Sequence, residues 1–131
     1  MHTKPVLGAA DIRRMLDAAW QAAEAAGHAM SIAFADDGGY PLALQRMDGA
    51  GLMTGKVAME KARTAALLRA PSAVLQDRVK QDPALLALTD YLPMAGGVPI
   101  RVDDAIVGAV GISGGTPEQD GAIAAAALAA L

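Results

Sequence analysis

Lys61 stands among apolar residues at helical spacing, on a stripe formed with Val57, Thr64, Ala65 and Leu68. An ammonium group on such a stripe keeps its charge only against an opposite charge or in a polar cavity, because desolvation disfavours the ion. Arg46, Asp48 and Asp120 are the obvious partners, each at the end of a predicted element beside a glycine-containing loop. Together the four residues describe a polar pocket at one end of a sheet. There Lys61 and Arg46 would hold an anionic group, and Asp48 or Asp120 would move a proton. The same four residues also fit a buried ion-pair network that ties helix to strand, with Asp120 serving only the start of the last helix.

Two glycine pairs extend the candidate site. Gly96-Gly97 and Gly114-Gly115 can expose backbone N–H groups to a carboxylate or phosphate, and the second pair directly precedes a predicted helix N-terminus. Turn geometry alone also accounts for both pairs, and neither matches a P-loop or a dinucleotide fingerprint. Ser113, in Gly111-Ile112-Ser113-Gly114-Gly115, does not form a G-x-S-x-G elbow and has no evident histidine base, so it enters as a ligand-contact candidate only. No two histidines have metal-ligand spacing, so no zinc site is expected.

The elements that must position these residues follow from periodicity. Ile12, Met15, Leu16, Ala19, Trp20 and Ala23 predict a helix over Ala9–Ala26, ended by Gly27. Ala29–Asp36 alternates with period two, Asp37-Gly38-Gly39 is a hairpin turn, and Pro41–Asp48 is the returning strand. A second helix covers Met53–Arg69 and stops before Pro71; Ser72–Lys80 is a short helix with Ser72 as its N-cap. Pro83–Thr89 is a further helical turn, and Tyr91–Gly97 is loop. Pro99–Val102 and Ala105–Ser113 form a second hairpin around Asp103-Asp104. Gly108 and Gly111 in its longer strand point to a helix or ligand packed closely against it. The last helix opens with Thr116 as N-cap, Pro117 at its first position and Gln119 completing a capping box. Ile123, Ala127 and Leu131 mark its apolar stripe. Strands paired by short turns and separated by helices predict a mostly antiparallel sheet of four or five strands with helices on its faces, an α/β sandwich.

Composition narrows the function classes. A chain of 131 residues fits one domain spanning residues 1–131, and is long enough to bury about two-thirds of its unfolded surface. It has no cysteine, which excludes disulfides, thiolate metal sites and cysteine nucleophiles. A net charge of -3 without basic runs argues against nucleic acid as partner. No apolar stretch is long enough to span a bilayer, and no apolar region follows Met1-His2-Thr3-Lys4-Pro5 as in a signal peptide. The expectation is a cytoplasmic protein with no membrane partner. Its many alanines permit close packing and favour self-association into a homo-oligomer.

Five blocks, in order, resemble the GlcG/HbpS-like family of haem-associated proteins. They are Ile32–Gly39, Arg46-Met47-Asp48-Gly49-Ala50, Lys61-Ala62-Arg63-Thr64-Ala65, Gly96-Gly97-Val98-Pro99-Ile100, and Gly108–Gly115 followed by Gln119-Asp120. Each block is weak alone; their order and spacing over most of the chain are specific. The family also takes in the C-terminal domain of some corrinoid adenosyltransferases. The resemblance implies a profilin-like or PAS-like α/β/α sandwich, assembly into homo-oligomers, and binding of a small ligand, with haem as the possible cofactor. Asp103-Asp104-Ala105 departs from the family, which usually places a glycine in that turn.

Haem requires an axial ligand, usually His, Met, Cys or Tyr. His2 lies in a predicted tail, and Met47, Met94, Tyr40 and Tyr91 lie in or near loops. His28 stands at the start of the first strand and is the haem-ligand candidate. That position also suits a surface histidine, so it is the resemblance and not the residues that points to haem. Three functions follow as expectations. The first is a small-ligand-binding or haem-binding protein. The second is an enzyme of small organic-acid catabolism, of tautomerase, isomerase or lyase type, with Lys61, Asp48 and Asp120 as catalytic groups and Arg46 as anion holder. The third is an accessory oligomeric subunit.

Overall fold

Helix α1 spans Ala9–Ala25, and the Asp11 carboxylate accepts the Gly8 N–H at its start. Gly27, at φ 74°, turns the chain out of α1 and into strand β1, Ser31–Asp36. Strand β2, Pro41–Arg46, returns beside it after a turn in which the Asp36 carboxylate accepts the Gly38 and Tyr40 N–H groups. Helix α2 covers Thr54–Leu68, helix α3 Ser72–Gln81, and a 3₁₀ turn Pro83–Ala87. Strands β3, Gly97–Val102, and β4, Ala105–Ser113, form the second hairpin, and helix α4, Pro117–Ala129, closes the fold. The computed structural model describes residues 1–131.

The sheet has four strands in the order β2-β1-β4-β3, and every neighbouring pair is antiparallel. Each hairpin supplies one edge strand and one central strand, so β1 and β4 are buried on both faces. Alternation along β1 and β4 then assigns side chains to two different layers. Ile32, Phe34, Val110 and Ile112 pack with Met15, Ala19, Ala23, Ile123 and Ala127 of α1 and α4. On the opposite face, Ala35 and Ala109 pack with Ala62, Ala65 and Ala66 of α2, a cluster built wholly of alanine.

That alanine layer explains much of the composition and one glycine of β4, Gly111. Helix α2 lies so close to the sheet that a Cβ at Gly111 would land on the Ala58 carbonyl, and one at Gly97 on the Lys61 carbonyl. The close approach predicted for Gly111 is met by a helix; at Gly108 it is not, because a Cβ there would meet the Ala35 carbonyl of the neighbouring strand β1 and the Leu7 side chain instead. The sandwich is α/β/α, with α2 on one face and α1 and α4 on the other.

Several boundaries differ from the sequence expectations. β1 begins at Ser31 and β2 ends at Arg46, although the Met47 N–H still bonds to the Met30 carbonyl beyond the ladder. β3 begins two residues early, at Gly97. Ser72 is not the N-cap of α3: Pro71 holds that position, and the buried Ser72 hydroxyl accepts the Gly97 N–H at 2.8 Å. On α2 the buried stripe is centred on Ala58, Lys61, Ala62 and Ala65, while Val57 and Leu68 are half-buried. Leu131 lies beyond α4 and is exposed.

Candidate functional site

At the C-terminal end of β4 the chain leaves the sheet through Gly114 and Gly115 and enters α4 through a reciprocal cap. The Gln119 N–H donates to the Thr116 hydroxyl, and the Thr116 N–H to the Gln119 side chain. This cap fixes the first turn and directs the next residue, Asp120, inward. One Asp120 oxygen accepts the Gly115 N–H at 3.1 Å; the other lies 3.6 Å from Lys61 Nζ. Lys61 Nζ also donates to the Ile112 carbonyl at 3.0 Å. Both side chains are about 5% exposed, so this is a buried pair.

The route of the Lys61 side chain requires glycine at position 96. Gly96 has φ 123°, and a Cβ there would collide with Lys61 Nζ and the Ile112 carbonyl oxygen. Next to it, Ser72 holds Gly97. The glycine pairs thus make room for Lys61 and Asp120. The N–H groups of Gly97 and Gly115 are engaged within the chain, by Ser72 and Asp120.

Burial pushes the Asp120 carboxyl above the usual carboxylate range. The Lys61 ammonium, the Gly115 N–H and the charge of His28 oppose that rise. His28 is half-buried between α1 and β1, and its backbone N–H caps α1 on the Ala23 carbonyl. Ser31 at the start of β1 pairs with Ser113 at the end of β4, so His28, Lys61 and Asp120 lie toward the same end of the sheet.

Arg46 and Asp48 do not join them. Both are exposed, and neither belongs to any ion pair of the chain. The reason is topological: β2 is an edge strand, and Asp48 lies in the turn that follows it. Of the three partners predicted for Lys61, only Asp120 reaches it. Ser113 is buried at the end of β4, opposite Ser31.

The pair faces no large cleft. The larger clefts lie between α1 and β2, along Lys56 and Glu60 of α2, beside the β1–β2 turn, and between α3 and the segment after it. As it stands, the Lys61–Asp120 pair joins the α2 layer to the α4 layer around the end of β4. No group of three or more His, Cys, Asp or Glu side chains could hold a metal ion.

Two contacts escaped the sequence reading. The Ser72–Gly97 bond joins residues 25 apart in sequence, and Thr64 donates to the Leu92 carbonyl to hold the loop before β3. A serine after proline reads locally as a helix cap, and nothing in the spacing points to a strand.

Residues 7–129 match the family described as haem degrading protein HbpS-like. The chain is 39% identical to Protein GlcG of Escherichia coli (strain K12) over 114 residues, which are 86% of this chain and 85% of that one. Among solved structures, a double mutant of Streptomyces reticuli HbpS superposes with a TM-score of 0.90 at 32% identity, covering 100% of this chain and 90% of that one. A PduOC:haem complex superposes with a TM-score of 0.88 at 27% identity, covering 97% and 96%. With the order of elements, the antiparallel sheet and nearly the whole length in agreement, the chain belongs to the HbpS-like family.

Proposed function

We propose that this chain is a ligand-binding protein whose ligand is haem, held on the side of His28. The observation that carries the reading is the position of His28, the one histidine fixed between secondary-structure elements and partly open to solvent. The other, His2, is exposed ahead of α1. The chain has no cysteine to compete as a ligand. Apolar surface and a cation lie on neighbouring segments. A Cβ at Gly49 would lie 3.8 Å from that of Ala29, so the loop after β2 starts beside the residue that follows His28. That loop leads to the exposed side chains Leu52 and Met53. Arg46 pairs in register with Ser31 at the same end of the sheet, where its exposed guanidinium suits a carboxylate. Haem would bring a flat apolar ring, two carboxylates and a metal that takes an imidazole ligand. The solved haem complex of a relative supports the same ligand.

The exposed Tyr40, Leu42 and Leu44 on and beside the open edge of β2 support assembly with further copies of the chain. Haem titration of the purified chain, followed by visible absorbance, tests the main reading. A saturable Soret shift is expected, and a non-saturating rise contradicts it.

One observation favours a second reading, an enzyme acting on small organic acids. Asp120 combines a raised carboxyl with an ammonium 3.6 Å away, which suits proton transfer. This reading requires the pair to become accessible to substrate. It predicts turnover of an unsaturated keto- or hydroxy-acid, abolished by Lys61→Ala; full activity in that variant excludes the mechanism.

A further inference from the structure

The 3₁₀ turn Pro83–Ala87 is capped at its start by Asp82, whose carboxylate accepts the Ala84 N–H. It packs against α3 and against no other helix or strand. None of its residues is buried, although it carries Leu85 and Leu86 and is followed by Leu88. Leu86 is 55% exposed and Leu88 80%. Burying a leucine side chain removes apolar surface from water and stabilises a fold. Leu85 is half-buried and Leu88 largely exposed, so neither belongs to the fold's core.

Leu86 points to a different cleft, beside Lys56 and Glu60 of α2, whereas Leu85 and Leu88 line a concave face. Leu85, Leu88 and Tyr91 face Leu68 of α2 and Leu75 and Arg78 of α3 across a cleft of about 360 Å³. That volume lies at the small end of ligand sites. The segment beyond the turn is anchored and does not close over the cleft at random. Arg63 donates to Asp90, Thr64 to the Leu92 carbonyl, and the Ala95 N–H to the Gln76 side chain. Arg78 is the one charged residue on the lining, and it belongs to no ion pair of the chain. Leucine walls with a single unpaired guanidinium select a molecule with an apolar body and one anionic head.

We propose that this cleft is a second small-molecule site, for a monocarboxylate with a short aliphatic body. The carboxylate lies on Arg78 and the chain lies between Leu75, Leu85 and Leu88. The cleft contains neither His28 nor the Lys61–Asp120 pair, so the proposal stands or falls separately from the haem reading. A second copy of the chain covering the same leucines is the competing occupant.

Calorimetric titration with octanoate, using 1-octanol as a neutral control, tests it. Arg78 is exposed, so Arg78→Gln is expected to fold normally, which a thermal melt verifies. The expected result is saturable octanoate binding, weakened about tenfold or more by Arg78→Gln, as for loss of a charge-assisted bond. Arg78→Lys should keep part of it, and His28→Ala all of it. No octanoate binding overturns the proposal, as does binding indifferent to Arg78→Gln or matched by 1-octanol. So does a Leu88→Ser variant that changes oligomeric state while octanoate binding persists, which would assign the face to a second copy.

Discussion

Lys61 Nζ and Asp120 Oδ2 lie 3.6 Å apart, although their helices pack on opposite faces of the sheet. The lysine stem passes beneath Gly96 and ends at the Ile112 carbonyl, so one buried side chain connects α2, β4 and α4. A buried charge left without its partner is costly, whereas replacing both members together is often tolerated.

Lys61→Met should therefore destabilise the chain by about 3 kcal/mol, the lower end for a broken buried pair, since Asp120 can take up a proton. The double variant Lys61→Met/Asp120→Asn should be more stable than the two single costs predict, by about 1 kcal/mol or more. Urea denaturation of the four proteins measures the coupling. Strict additivity would mean that the two groups do not interact.

The pH dependence has a definite sign. Burial raises the Asp120 carboxyl above its ordinary value of 3.8, so the native state binds this proton more tightly than the unfolded chain. Its contribution is complete below pH 3.8 and is lost as pH rises through the native value. Asp37, lowered chiefly by its bond to Lys4, acts oppositely: its contribution exists above 3.8 and is lost as pH falls. Comparing urea midpoints of the wild type and Asp120→Asn from acid to neutral pH isolates the first effect. The wild type should lose ground to the variant as pH rises above 3.8. The reverse trend would mean that Lys61 outweighs burial.

Gly111 and Gly121 should respond oppositely to alanine. At Gly111 a methyl group meets the Ala58 carbonyl and the Ala62 N–H, which a backbone cannot easily yield. Gly111→Ala should cost about 3 kcal/mol through overpacking. At Gly121, inside α4, a Cβ meets nothing within 4 Å. Gly121→Ala should stabilise by about 0.5–1 kcal/mol through helix propensity. Thermal melts of both variants check the contrast.

Ser72→Ala removes the acceptor for the buried Gly97 N–H. A loss of about 1–2 kcal/mol is expected. Hydrogen exchange should locate it at the start of β3; unchanged protection at Gly97 would show that the bond is dispensable.

Much of the fold was legible in the sequence because each local signal agreed with the final packing. The period-two run before Asp37-Gly38-Gly39, the Thr116–Gln119 capping box and the glycines of β4 each carry their own physical reason. The resemblance supplied the layer arrangement. The site was less legible. Lys61 read as a charged residue on a buried stripe, and it is one, but adjacency to glycine loops also nominated Arg46 and Asp48. Only strand order separates them from Asp120: β4 is central and β2 is an edge, and no spacing along the chain encodes that. Ser72 escaped for the same reason, since its partner is fixed by the third dimension.

Haem binding at His28 is decided by comparing haem titrations of the wild type, His28→Ala and His2→Ala by visible absorbance. A saturable Soret shift is expected in the wild type and in His2→Ala, with its loss or a change of ligation spectrum in His28→Ala. An unaltered titration in His28→Ala, or the absence of any saturable shift in the wild type, would contradict it.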